Sequence, residues 1–216
     1  EPIVRLVFEG GEFTSADTTL VWLILVFYAL GLPAIGLSRM LQNANFALGD
    51  TSGPARIVAV RVSVAAAIGL VVMFPLDRAW VGVNGIEGLG DTLGLFGPLD
   101  VATRGDESTV RIGAIGLAIG SAIGAWIELA LLSSLTRRRM PALRSPLATL
   151  RPAALAAAVS FAVTAGMKLA VGDLPTFLAV VVIVGVGGIV YVVTAFRTGV
   201  KEADMVLRPT RKIMWR

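Results

Sequence analysis

Hydrophobic and polar residues alternate along this chain on the scale of whole segments. Five apolar runs, at 18–41, 56–76, 111–135, 152–171 and 174–196, are separated by stretches rich in charge, glycine and proline. A helix rises about 1.5 Å per residue and a hydrocarbon core is about 30 Å thick, so about 20 apolar residues span it. The pattern therefore predicts an all-α fold, a polytopic transmembrane bundle of five helices. The first and last runs hold charge-free stretches, Thr18–Ser38 and Leu174–Phe196, while the other three are each interrupted by one charge, Arg61, Glu128 or Lys168. Around the spans lie a first segment at 1–17, a linker at 42–55, a glycine-rich loop at 77–110, a basic loop at 136–151 and a basic tail at 198–216.

Composition sharpens this picture. Hydrophobic residues make up 56% of the chain and mean hydropathy is +0.80, with 16% charged residues against about 25% in soluble domains. Lysine and arginine divide into two sets. Fourteen fall beside Arg39, in 56–61, in 137–151 and in 197–216, accompanied by only Asp50, Glu202 and Asp204. The opposite set is Arg5, Arg78, Arg104, Arg111 and Lys168, with eleven acids. The positive-inside rule makes the first set cytoplasmic, which predicts an outside N-terminal end and an inside C-terminal end. The pI of about 10.1 follows from this distribution, and no nucleic-acid motif accompanies it. The tail residues Arg211, Lys212, Trp215 and Arg216 suit an anionic inner leaflet and equally suit a solvated tail.

With no cysteine and no histidine, disulfides and thiolate or imidazole metal sites are excluded. No metal or cofactor is expected. Ser133 and Ser134 have no histidine partner and the outer acids have no paired scaffold, so no enzyme is predicted. The stretch from Glu1 to Phe8 reads as the outer end of something longer, which predicts a fragment of a larger protein. Asp50, Thr51 and Ser52 are placed to cap the second span, with Pro54 in its first turn. The 77–110 loop predicts a flexible external segment, with part of Thr92–Val101 dipping into the interface; Gly88-x-Gly90 has the wrong spacing for a nucleotide fingerprint.

The candidate functional residues are the charges within spans, because burying a charge in lipid is costly. Arg61 and Lys168 lie near opposite ends of their spans and can snorkel. Glu128 lies deeper, nine residues before Arg137, or about 13 Å along a helix. Antiparallel second and third spans would put Arg61 and Glu128 at a similar depth, able to pair or to line one polar cavity. In the third span Gly116, Gly120 and Gly124, with Gly113 nearby, recur at a spacing that aligns a flat helix-packing face. A moving contact is the alternative use of that face.

Three motifs occur in series: Phe8-x-x-Gly11-x-Phe13-Thr14 with Asp17; Tyr28-x-x-Gly31-Leu32; and Phe46-Ala47-x-x-Asp50-Thr51-x-x-Pro54. In order and spacing they resemble the lipid II flippase family, MurJ or MviN, of the MOP exporter superfamily. The resemblance is sharp from Phe8 to Arg56 and rests on helix order beyond. It implies the last five of fourteen helices, in a flippase that moves an undecaprenyl-linked peptidoglycan precursor by alternating access of two lobes. It also implies a groove for the lipid tail beside the last two helices, and a place in the bacterial inner membrane during cell-wall biogenesis. The implied partners are that lipid, the remaining N-terminal helices and cell-wall synthesis proteins, with no nucleic acid. Phe46-Ala47 stands where the family commonly has Phe-Tyr, and 77–110 reads as an insertion. The family's pyrophosphate-binding cations lie mainly in earlier helices, so none carries over. An exporter of another lipid-linked oligosaccharide and a non-transporting scaffold are the alternatives.

Overall fold

A computed structural model of the chain describes residues 2–82, 85–92, 99–100, 109–141, 146–170 and 175–200. Its helices are α1 (Pro2–Phe8), α2 (Ser15–Ala47), α3 (Ser52–Leu76), α4 (Ala114–Arg139), α5 (Pro146–Ala170) and α6 (Thr176–Arg197), with strands β1 (Trp80–Gly82) and β2 (Gly85–Glu87) between α3 and α4. Five of these, α2 to α6, are long and apolar enough to cross a membrane. The chain divides into two compact units, Ile3–Leu143 and Arg144–Arg216.

In the first unit α2 and α3 pack mainly on α4 rather than on each other. Local chemistry fixes where α2 begins and ends. Thr14 and Asp17 form a capping box: the Asp17 amide donates to Thr14 Oγ1 (3.3 Å) and the Thr14 amide to Asp17 Oδ2 (2.8 Å), which satisfies exposed first-turn donors. At the other end Gly49 adopts φ 79°, a left-handed conformation that glycine enters without steric cost. The Gly49 amide then donates to Phe46 O (2.9 Å) and the Asp50 amide to Asn45 O (3.0 Å), the bond pair of a Schellman closure.

These closures correct the linker boundaries. Helix α2 runs on to Ala47, so the 42–55 linker contracts to residues 48–51 between α2 and α3. The basic 136–151 segment is likewise helical at both ends, because α4 continues through Arg137, Arg138 and Arg139 and α5 takes in Pro146 onward. Cations in a last helical turn are favoured by the helix dipole.

The glycine-rich segment is also more structured than the expected flexible loop. Strands β1 and β2 pair antiparallel, Trp80 opposite Glu87, and Val81 donates to Val110 O (2.9 Å) while Ile112 donates to Ala79 O (3.1 Å). Ala79, Ile112 and Ile115 are buried beneath this hairpin against Leu20, Leu23, Ile24 and Phe27 of α2. Most of Thr92–Val101 lies outside the described residues, as does the tail from 201 onward.

The second unit is a pair of helices. Ala156 and Ala195 are buried between α5 and α6, Ser160 Oγ donates to Gly187 O (2.8 Å), and Gly199 closes α6 with φ 82°.

Candidate functional site

Helix α4 carries Gly116, Gly120, Gly124 and Glu128 at successive fourth positions, so all four lie along one face. That face meets α3. A Cβ on Gly116 would come within 2.5 Å of the Met73 amide nitrogen, one on Gly120 within 2.5 Å of Ala65 O and 2.6 Å of Gly69 N, and one on Gly124 within 3.1 Å of Arg61 O. Three missing side chains thus bring the two backbones together, and the next residue of the row is a carboxylate facing the next turn of α3. Gly113 lies just before α4, where a Cβ would meet Asp77 Oδ1 at 2.7 Å.

Glu128 is fully buried. Its Oε2 accepts from Arg61 Nη1 at 2.8 Å and its Oε1 from Gln42 Nε2 at 2.7 Å. Both oxygens of a buried anion are thus met by donors from two other helices, the condition under which such a charge is tolerated. Arg61 does not extend away along α3; its side chain is 26% exposed and turned to Glu128. Lys168 belongs to α5 and its side chain lies outside the described residues.

The pair sits at one wall of a cavity of about 610 Å³ lined by Ile35, Ser38, Arg39, Gln42, Asn43, Val58, Arg61 and Glu128. One turn beyond, buried Asn45 donates from Nδ2 to Thr136 Oγ1 (2.7 Å) and Leu41 O (2.8 Å). Gln42, Asn43 and Asn45 fall in the expected 42–55 linker because polar residues beside a proline- and glycine-rich stretch resemble loop, while Ser38 lies within the expected first span as one uncharged polar residue among apolar ones. The available signal was the spacing of Ser38, Gln42 and Asn45, which places them on one helical face.

The last of the three motifs closes the same end of the unit. Asp50 Oδ1 accepts from the Gly53 amide (2.9 Å) and Ser52 Oγ (3.2 Å), and Oδ2 pairs with Arg139 Nη2 at 2.8 Å. The Gly53 amide, then Ser52 and the Arg139 charge, hold the Asp50 carboxyl below its usual value of 3.8 against a weaker opposing effect of burial. Thr51 is the N-cap residue of α3 but makes no side-chain cap bond, and Pro54 is buried in its first turn.

The other motif residues have equally local roles. Gly11 turns the chain with φ 63°, and the rings of Phe8 and Phe13 pack 6.1 Å apart on either side of that turn. Gly31 lies against α4, where a Cβ would be 3.1 Å from Ala122 Cα. Tyr28 and Phe46 are exposed on α2. Near Pro33, which cannot donate a helical bond, Trp126 Nε1 ties α4 to Leu30 O at 3.0 Å.

Sequence comparison places these motifs in context. Residues 1–85 match the family described as "Lipid II flippase MurJ". The chain is 40% identical over 76 residues to the probable lipid II flippase MurJ of Rhizobium tropici, which covers 35% of this chain and 14% of that protein. It is 27% identical over 138 residues to the probable lipid II flippase MurJ of Rickettsia prowazekii, covering 64% of this chain and 20% of the relative. It is 34% identical over 95 residues to the lipid II flippase MurJ of Thermosipho africanus, covering 44% and 20% respectively. The chain thus spans a fifth or less of the length of these relatives, and no solved structure matches it significantly. The family match falls on the N-terminal part of the chain, α1 to β2, and not on its C-terminal part. Over residues 1–85 the chain carries the sequence pattern of the lipid II flippase MurJ family.

Proposed function

We propose that this chain is the C-terminal five-helix portion of a lipid II flippase-like transporter in the bacterial inner membrane. It supplies part of one lobe and the groove for the lipid tail, and it acts by alternating access together with helices that precede it. The cargo is an undecaprenyl-linked precursor, the activity is transport rather than catalysis, and cell-wall synthesis proteins are its natural neighbours. The observation that carries this reading is the match over residues 1–85, whose Gly11, Thr14, Asp17, Gly31, Asp50 and Pro54 each hold a helix end or a helix contact. Residues of that kind define an architecture rather than a cargo, so the cargo comes from the relatives' names.

In this reading residues 1–17 and 77–110 face outward and 136–151 and 198–216 face the cytoplasm. The support is the clustering of basic residues on one set of connections. The chain has no cysteine, so a single Gly90→Cys, at an exposed position with open space around it, should label with an impermeant thiol reagent in intact cells, and Arg138→Cys only after permeabilisation. The reverse pattern would invert the topology. For the groove, α5 and α6 present Leu155, Phe161, Phe177, Val181 and Ile189 with more than half of each side chain exposed, an apolar surface suited to an acyl or prenyl chain.

The direct test is a leaflet-protection assay for lipid II in cells depleted of their own flippase. Restored exposure of lipid II on the outer leaflet by the full-length protein is expected. Normal expression without restored exposure overturns the assignment of cargo.

A further inference from the structure

We infer that the cavity bounded by α2, α3 and Glu128 binds a phosphoryl anion, with Ser38, Arg39 and Arg61 as donors and Glu128 as the competing charge that limits affinity. The lining carries two guanidinium groups, Arg39 and Arg61, against one carboxylate, so its formal balance is one positive charge. Both Glu128 oxygens already accept from Gln42 and Arg61, and the Arg61 charge beside the carboxylate disfavours a cation there. Donors are in surplus. Arg39 makes no hydrogen bond or ion pair among the described residues and is exposed to the cavity. Arg61 presents five N–H donors, and the Glu128 contact is made through Nη1.

The second observation is Ser38. It is 1% exposed, it lines the cavity, and its Oγ has no hydrogen-bond partner among the described residues. A buried hydroxyl without a partner is destabilising, and most such groups in proteins are satisfied. An oxyanion in the cavity would accept from it. Ser38 and Gln42 are four residues apart on α2, as are Arg39 and Asn43, so all four project from adjacent turns of one helix toward Arg61 on another. The cavity is far larger than the roughly 30 Å³ of a water molecule and accommodates a phosphate or diphosphate. Arginine suits such a group because its planar fork matches paired oxygens. A soluble phosphate and a lipid-linked one would meet the same donors, so the site does not depend on the cargo proposed above.

The test uses the full chain in phosphatidylcholine nanodiscs. One arm titrates inorganic pyrophosphate by calorimetry; the other incorporates a polyprenyl diphosphate and follows the shift in melting temperature. Binding in at least one arm is expected, and the responding arm identifies the source of the anion. Arg39→Gln, on an exposed position, should weaken binding about tenfold. Ser38→Ala should weaken it several-fold while leaving the melting temperature of the unliganded protein unchanged or raised, and Glu128→Gln should tighten it. The inference is overturned if wild type binds neither probe, or if Arg39→Gln and Ser38→Ala bind as tightly as wild type. Weaker binding by Glu128→Gln at an unchanged melting temperature would contradict it as well.

Discussion

The two units of this molecule solve the problem of packing apolar helices in different ways. In the first, α4 is a central helix with 56% of its most apolar stretch buried, flanked by α2 and α3 at 11% and 6%; in the second, α5 and α6 are each 6% buried and neither is enclosed by the other. Lipid is as apolar as leucine, so hydrophobicity alone does not draw membrane helices together. The first unit supplies what hydrophobicity cannot: a glycine row that admits a neighbouring backbone, and polar pairs at Glu128, Asn45 and Asp50 that join three helices. The α5–α6 pair has small buried alanines and the Ser160 to Gly187 bond. A unit specified by many complementary contacts makes a fixed frame, while one specified by few leaves its apolar surface for lipid.

This contrast can be broken by substitution. The largest effect is expected for Arg61→Ala, which leaves the buried Glu128 carboxylate with Gln42 as its remaining partner. Loss of one member of such a pair costs about 3–5 kcal/mol, seen as a marked fall in the melting temperature in detergent. Unchanged melting would show that the pair holds nothing together. Next comes Gly120→Ala, whose new methyl meets backbone atoms at 2.5 and 2.6 Å and should cost about 1–3 kcal/mol by overpacking. The matched change in the other unit, Gly187→Ala, meets the Thr164 methyl at 2.7 Å, a side chain that can shift where the backbone beside Gly120 cannot, and should cost less than Gly120→Ala. Equal losses at the two sites would erase the distinction between the units. Ser160→Ala should cost about 0.6 kcal/mol, the average for an interhelical polar contact in a membrane; a loss above about 2 kcal/mol would mean that α5–α6 is as tightly specified as the first unit.

The smallest effect concerns pH. The folded pKa of Asp50 lies below 3.8, so its contribution to stability is fully present above that value. It fades as pH falls from 3.8 through the lower folded pKa, where the carboxylate gains its proton. Asp50→Asn should flatten this limb of the melting curve and leave the neutral limb's slope unchanged. An identical acid limb in the variant would remove Asp50 from the account.

Much of this architecture was legible in the chain because membrane helices announce themselves by length and hydropathy. The depth of Glu128 and the fourfold spacing of Gly116, Gly120 and Gly124 were legible too. Their relation was harder to see: Glu128 is the next member of the same row, so the residues that draw α3 close also aim the carboxylate at Arg61. The ends of the helices were misjudged where polar residues continue a helix. Residues 42–47 look like linker by composition, yet the closure at Gly49 and the Asn45 to Thr136 bond keep them helical. The hairpin at 80–87 was hidden by glycine content, since its order comes from pairing with Val110 and Ile112, distant in sequence.

The central claim is that Arg61 and Glu128 act as one element joining α3 to α4. A double-mutant cycle on the full chain, with Arg61→Leu, Glu128→Leu and the combined variant compared by unfolding in detergent, tests it most directly. Each single change should be strongly destabilising, and the combined variant should recover much of the loss, giving a coupling of about 2–3 kcal/mol. Losses that add to within about 0.5 kcal/mol would contradict it, because two residues that do not sense each other cannot be the joint between the helices.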